Sequence, residues 1–172
     1  YQYVDSANNT GTVTRTVTVI DVPDLTPPTA SVEYSTTGAT NQDVIVTLTG
    51  ASEAITITNN SGATTQTFTS NGTGEFLFVD GAGNTGSVSI SVSNIDKSLP
   101  VLTLNGSGTV SILSGSTYTE LGATYLDNVD GTGTLATPFS GSVNTNLTGS
   151  YLLTYQYVDS ANNTGTVTRT VT

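Results

Sequence analysis

Alternating apolar and polar side chains recur along most of this chain, and the alternation predicts β-strands. In residues 43–48, DVIVTL, and residues 87–92, SVSISV, apolar residues occupy every second position. Val88, Ile90 and Val92 therefore fall on one face of a strand. Turn-forming residues follow every ~8–12 positions and no helical periodicity is present, a combination typical of a sandwich. The predicted fold class is all-β, built from antiparallel β-sandwiches.

An 18-residue hairpin pattern occurs twice without change. Residues 1–18 and 155–172 both read YQYVDSANNTGTVTRTVT, so the second copy starts 154 residues after the first. In the first copy the pattern predicts a turn over residues 5–11 and a half-buried strand over Thr12–Ile20. A self-match at a fixed spacing indicates a tandem array. We therefore expect residues 1–20 to be the C-terminal hairpin of a preceding domain, present as a fragment, and the two copies to share one backbone.

Two short segments that contain proline divide the remaining chain. Proline fixes its own φ angle and restricts the residue before it, so such segments make short, stiff linkers. The predicted order is a linker at 21–28, a sandwich at 29–95, a linker at 96–100, and a second sandwich at 101–172 that lacks its last residues. Within the second sandwich, the pattern TYTELGATYL predicts a strand over Thr117–Leu126.

The composition excludes several classes of function. The formal net charge of −10 opposes binding to nucleic acid or to anionic lipid, and no apolar run approaches the ~18 residues of a membrane span. The chain contains no histidine, so a Ser-His-Asp triad is impossible, and the paired carboxylates Asp127 and Asp130 lie in a turn. With no cysteine there is neither a disulfide framework nor a thiolate metal site. We therefore expect a protein that is not an enzyme.

The two predicted sandwiches end in related hairpins. VDGAGNTGSVSISV at residues 79–92 and VDSANNTGTVTRTV at residues 158–171 share the pattern V-D-x-A-x-N-T-G-x-V. Together with NIDKSLP and TELGATYLDNVDGTGTL, these hairpins resemble Ig-like domains of large bacterial surface proteins. The first sandwich resembles the general bacterial Ig-like class, and the second resembles its hyalin-repeat-like branch. The resemblance implies tandem Ig-like domains outside the cell, on the cell surface.

Three roles fit such an array, and the sequence favours the first. It is a structural segment of an adhesin stalk or filament, whose partners are neighbouring repeats of the same chain. The second is a module that binds glycans or cells, for which the stripe of Tyr151, Tyr155 and Tyr157 is a candidate surface. An aromatic stripe of this kind more often packs in a core. The third is self-association into a sheath or surface layer through exposed edge strands.

Clustered carboxylates make Ca²⁺ at the domain junctions the one candidate cofactor. In an Ig-like sandwich the incoming linker meets the end that carries the B–C and F–G loops. Oxygen-only clusters suit Ca²⁺, which takes ~6–8 ligands. The alternative is that these side chains only cap turns. The first candidate set is Asp96, Asp127, Asn128, Asp130 and Asp159, and the second is Asp21, Asp24, Glu53 and Asp80.

Overall fold

The computed structural model describes all 172 residues, and its regular structure is almost entirely β. A two-stranded hairpin comes first, with β1 at Gln2–Val4 and β2 at Thr10–Thr12. Two sandwiches follow in series. No helix in the fold has the length and apolar character needed to cross a membrane.

The first sandwich contains six antiparallel strands in two three-stranded sheets. One sheet has the order β3-β4-β6 and the other has the order β5-β7-β8. This is the A-B-E and C-F-G distribution of an Ig sandwich without its D strand. The bounds are β3 Ser31–Tyr34, β4 Val44–Thr49, β5 Ile55–Ile57, β6 Thr65–Phe68, β7 Gly72–Asp80 and β8 Thr85–Val92, with a 3-10 turn at Asn60–Gly62.

Alternation along the strands builds the core of this first sandwich. Val44 and Val46 of β4 are fully buried, as are Phe76 and Phe78 of β7, while the residues between them face outward. Ile90 and Val92 of β8 complete the same cluster. Fully burying one such side chain contributes about 1.5–3 kcal/mol, so the cluster accounts for much of the driving force for folding.

The second sandwich has a related plan with a different edge. Its sheets have the orders β12-β11-β9 and β10-β14-β13, and β10 pairs with β14 in parallel. The loop 127–131 joins β11 to β12 as a hairpin within one sheet, so it does not cross between sheets as an ordinary B–C loop would. The bounds are β9 Val101–Leu104, β10 Thr109–Val110, β11 Ala123–Asp127, β12 Gly131–Leu135, β13 Tyr151–Val158 and β14 Thr164–Val171.

An arginine is buried in the second sandwich. Arg169 on β14 is only 1% exposed, and its guanidinium pairs with Glu120. Its Nε donates to the carbonyl of Ser107 at 3.0 Å and its Nη2 donates to that of Asn105 at 2.6 Å. The contacts of Arg169 therefore connect β14, the closing strand, to two other segments. Glu120 lies in the coil before β11, and Asn105 and Ser107 lie in the turn at residues 105–107.

Two predicted strands are shorter than the sequence suggested. The strand predicted at Thr12–Ile20 is observed only at Thr10–Thr12, and residues 13–20 are exposed. In the second copy the matching residues pair with Tyr151–Tyr155, whereas residues 13–20 lie in no strand. The strand predicted at Thr117–Leu126 begins at Ala123. Gly122 breaks it with a φ of +80°, a backbone angle that side chains other than glycine's rarely allow.

The repeated hairpin has the same local structure in both copies. Tyr3 pairs with Gly11 in the first copy, and Tyr157 pairs with Gly165 in the second, 154 positions later. The register is therefore identical where both copies are strands. The turn also repeats, because one asparagine in each copy takes a left-handed backbone conformation, with φ of 61° at Asn8 and 69° at Asn162.

The two sandwiches touch where the second linker begins. Asn41 of the first sandwich donates its backbone N–H to the carbonyl of Ala161 and its side-chain amide to that of Asn162, each at 3.1 Å. Thr40 forms a parallel bridge with Ile95, just before the linker. The 40–41 loop thus contacts the β13–β14 turn of the second sandwich beside residue 96.

Candidate functional site

One five-residue loop, D-x-A-x-N, is built identically at three places in the chain. In the second sandwich, Asp159 Oδ1 accepts from the backbone N–H groups of Ala161 at 2.9 Å and Asn163 at 2.7 Å. The Asn163 amide donates to Asp159 Oδ2 at 2.8 Å. The same three hydrogen bonds recur in the loops that begin at Asp80 and Asp5. An aspartate that binds its own turn in this way fixes the hairpin end.

At both domain junctions the asparagine of this loop also holds the incoming linker. The Asn163 amide donates to the backbone carbonyl of Asp96 at 3.0 Å, and the Asn84 amide donates to that of Asp24 at 3.1 Å. The carboxylates of these loops were predicted from the sequence to lie at the junctions, but the role of the two asparagines was not. The signal was available, because D-x-A-x-N recurs in all three hairpins.

Each clamp also contains a proline and a glycine. The proline lies on the linker, four residues after Asp24 or Asp96, and the glycine lies on the strand that the linker approaches. Pro28 and Pro100 are both buried. A Cβ on Gly86 would lie 2.3 Å from the carbonyl oxygen of Pro28, and one on Gly165 would lie 2.1 Å from that of Pro100. Only glycine allows the linker to approach the strand this closely. The two junctions are therefore two versions of one structure.

Three carboxylates meet inside the second junction. Asp96 comes from the linker, Asp127 from the end of β11, and Asp159 from the β13–β14 turn; they are 7%, 4% and 5% exposed. One oxygen from each lies within 4.8 Å of the other two. The chain's cations lie elsewhere, since Lys97 pairs with Asp43 at 2.6 Å and Arg169 pairs with Glu120. Residues 13–20, which include Arg15, are exposed.

Hydrogen bonds satisfy four of the six carboxylate oxygens of this cluster, including both of Asp159. Asp127 Oδ1 accepts from the backbone N–H groups of Val129 at 2.9 Å and Asp130 at 2.8 Å. Asp96 Oδ1 accepts from the backbone N–H of Ser98 at 3.0 Å. The Oδ2 atoms of Asp96 and Asp127 are buried and have no donor. Burying a charged oxygen without a partner is costly, so these two atoms require an explanation.

The other two residues of the first candidate set take different positions. The Asn128 amide reaches the cluster, where its Nδ2 donates to Asp96 Oδ1 at 3.2 Å. Asp130 does not join the cluster. Its carboxylate accepts from Ser160 Oγ at 2.6 Å, from the Ser160 backbone N–H at 2.9 Å, and from the Tyr157 hydroxyl at 2.9 Å. Asp130 therefore links the 127–131 turn to the β13–β14 turn.

The first junction brings together a looser set. Asp24, Glu53 and Asp80 also lie with one oxygen each within 4.8 Å, but only Asp80 is buried. Desolvation, together with the negative charges of Asp24 and Asp80, raises the pKa of Glu53 above its ordinary value. The Asn84 amide, by contrast, lowers the pKa of Asp80. Asp21, the fourth predicted residue, is exposed in the linker and lies outside this group.

The tyrosine stripe is used in packing. Tyr155 is fully buried, and its hydroxyl has no hydrogen-bond partner. Tyr157 stacks on Tyr125 with ring centroids 3.6 Å apart, and its hydroxyl donates to Asp130. The Tyr151 hydroxyl donates to the carbonyl of Leu147 at 2.8 Å. Hydrogen bonds with the Tyr125 phenol and then with the Asp130 carboxylate raise the pKa of Tyr157 above its ordinary value.

The comparisons with known proteins agree with this architecture. Residues 102–172 match the family model described as Bacterial surface protein, Ig-like domain. The match spans the second sandwich and leaves residues 1–101 uncovered. A search of curated proteins finds no match to the chain. The predicted all-β fold of Ig-like sandwiches is thus confirmed, and the second sandwich is similar to a module of bacterial surface proteins. The tandem array and the hyalin-repeat-like branch stay predictions.

Proposed function

We propose that this chain is a spacer segment of a stalk or filament on a bacterial cell surface, outside the cell. The observation that carries the proposal is the linker clamp, which is built the same way at both junctions. Asn84 and Asn163 each hold the linker that enters their own sandwich. A domain that fixes the direction of the chain entering it can be added in series many times. Length is then set by the number of domains.

The repeated hairpin supports the same role. Asp5 carries the same D-x-A-x-N hydrogen bonds as Asp80 and Asp159 in the two sandwiches, within a sequence that returns 154 residues later. The partners in this proposal are neighbouring repeats of the same chain, and the role is mechanical rather than enzymatic. A sandwich of ~10-residue strands spans roughly 35 Å. One 154-residue repeat would then contribute about 70 Å.

Concatemers of one, two and four repeats test the proposal. Their lengths are measured by negative-stain electron microscopy and by the maximum dimension from X-ray scattering. We expect thin, unbranched particles whose length rises linearly by about 70 Å per repeat. Compact particles whose length does not follow the copy number would contradict a spacer. Particles that associate side by side into sheets would instead favour the sheath or surface-layer role.

The second candidate function is a module that binds glycans or cells. The positions of Tyr155 and Tyr157 argue against it. Tyr155 is buried, and the stacking face of Tyr157 is covered by Tyr125. Tyr155 is therefore not accessible to a sugar, and one face of Tyr157 is already occupied. Binding of the two-sandwich chain to a glycan array, lost on Tyr151→Ala, would restore this candidate, because Tyr151 is half-buried and no other aromatic ring stacks on it.

A further inference from the structure

We propose that the cluster of Asp96, Asp127 and Asp159 binds one Ca²⁺ ion, which joins the second linker to both turns at the end of the second sandwich. The three residues come from segments more than 30 positions apart in the sequence. The proposal needs only this junction, so its failure would leave the spacer role standing.

The two orphaned oxygens are the observation that points to a cation. Asp96 and Asp127 are each more than nine-tenths buried, and each has one oxygen bound by backbone N–H groups while the other has no donor. If these side chains served only to cap turns, one oxygen of each would be satisfied and the other would face water. Here the second oxygen is buried beside two further carboxylates, where repulsion and desolvation act together.

The donor set selects the kind of ion. All available ligands are oxygens, which excludes metals that prefer thiolate or imidazole. Three carboxylates give the site a formal charge of −3, enough to attract a divalent ion into a buried position. A half-turn of the Asn128 amide would exchange its Nδ2 for its Oδ1 toward Asp96, which adds a neutral oxygen ligand. Ca²⁺ accepts irregular sets of carboxylate, carbonyl and water oxygens, whereas Mg²⁺ demands near-ideal octahedral geometry.

The proposal is confined to the second junction. At the first junction Asp24 is exposed, Glu53 is not buried, and both oxygens of Asp80 accept hydrogen bonds. No buried oxygen there lacks a partner. This difference provides a matched control, because the two junctions share the same clamp but differ in the orphaned atoms.

Bound Ca²⁺ would act on the joint as well as on stability. Asp96 lies directly after Ile95, which forms a β-bridge with Thr40 of the first sandwich. The backbone N–H of Asp96 donates to the carbonyl of Thr40 at 2.9 Å. A cation that holds the Asp96 carboxylate on the turns of the second sandwich therefore restrains the segment that connects the two bodies. We expect the range of angles between the sandwiches to narrow when the ion binds.

The test uses the whole chain, freed of metal by chelation and then titrated with CaCl₂ or MgCl₂. Calorimetry should show one Ca²⁺ equivalent at this junction, and a hundred-fold excess over the dissociation constant should raise the melting temperature by about 10 °C. Asp127→Asn keeps the Oδ1 acceptor of the turn but removes a charge. This variant should lose the bound equivalent and the Ca²⁺-dependent shift, while its melting temperature in chelator equals or exceeds that of the wild type.

Asp24→Asn, at the other junction, should keep the full shift. The chain has no cysteine, so spin labels can be attached at Thr67→Cys in the first sandwich and Thr134→Cys in the second. Both positions are exposed, and the distance between the two labels reports the angle between the sandwiches. Their distance distribution should narrow with Ca²⁺. No heat and no shift with Ca²⁺ would overturn the proposal, as would an Asp127→Asn variant that still binds. An equal shift with Mg²⁺ at the same concentration would overturn the assignment to calcium.

Discussion

Gly11 and Gly165 occupy the same position of the repeated sequence, but only Gly165 is covered by a linker. A Cβ on Gly165 would lie 2.1 Å from the carbonyl oxygen of Pro100, whereas a Cβ on Gly11 would have nothing within 4 Å. The local backbone is the same in both copies. The difference comes from the Pro100 segment, which packs on the second hairpin.

This pair gives a direct test of the linker clamp. Gly165→Ala should lower the free energy of unfolding by about 1–3 kcal/mol, because the carbonyl of Pro100 must move away from the new methyl group. Gly11→Ala is the matched control, with the same sequence neighbours, and should change stability by less than about 0.5 kcal/mol. Urea unfolding curves measure both. Equal effects of the two substitutions would show that the linker does not dock on Gly165.

The buried hydroxyl of Tyr155 should be a weak point of the second sandwich. It has no hydrogen-bond partner, and burial raises the pKa of this phenol. Tyr155→Phe removes the unsatisfied group and keeps the ring, so the free energy of unfolding should rise by about 1 kcal/mol. Tyr157→Phe, on the same strand, removes a hydroxyl that donates to Asp130 and should lower stability. Thermal melts of the two variants should therefore shift in opposite directions, and a fall for both would contradict the assignment.

The pair of Arg169 and Glu120 should be far more sensitive to substitution than surface charges are. Glu120→Gln leaves the guanidinium buried, at 1% exposure, without its counter-charge. Removing one partner of a buried pair costs about 3–5 kcal/mol. Glu33→Gln, on an exposed position of β3, is the control and should change stability by less than about 0.5 kcal/mol. The midpoints of denaturant unfolding measure both variants. Similar midpoints for Glu120→Gln and Glu33→Gln would mean that the pair of Arg169 and Glu120 is exposed to solvent.

Much of the fold was predictable because strand alternation and turn residues are local signals. The sequence also predicted that Asp96, Asp127 and Asp159 lie together, although the 127–131 loop is a hairpin within one sheet and not the B–C loop on which that prediction relied. The orientation of Asp130 was not predictable, because whether a carboxylate in a turn faces the cluster or the neighbouring turn depends on a few backbone angles. The burial of Arg169 was not predictable either, because its partners Asn105, Ser107 and Glu120 are far from it in the sequence.

Asp130 should make part of the stability depend on pH in the acid range. Hydrogen bonds from Ser160 and then from Tyr157 lower the pKa of Asp130 below its ordinary value of 3.8. A carboxyl whose pKa is lowered on folding stabilises the fold above the unfolded pKa, and this contribution is lost as the pH falls through the folded pKa. The free energy of unfolding should therefore fall as the pH drops below about 4.

Two variants isolate this contribution. Ser160→Ala removes the first of these donors, and Asp130→Asn removes the titrating group, so both should flatten the acid limb of the stability profile. Ser142→Ala, an exposed serine of the same sandwich, should leave the profile unchanged. Urea unfolding from pH 2.5 to pH 6 in the presence of chelator measures the slope, with bound cations removed as a cause. An Asp130→Asn profile as steep as that of the wild type would mean that the acid sensitivity arises at other carboxylates, and that the link between the 127–131 turn and Ser160 contributes nothing to it.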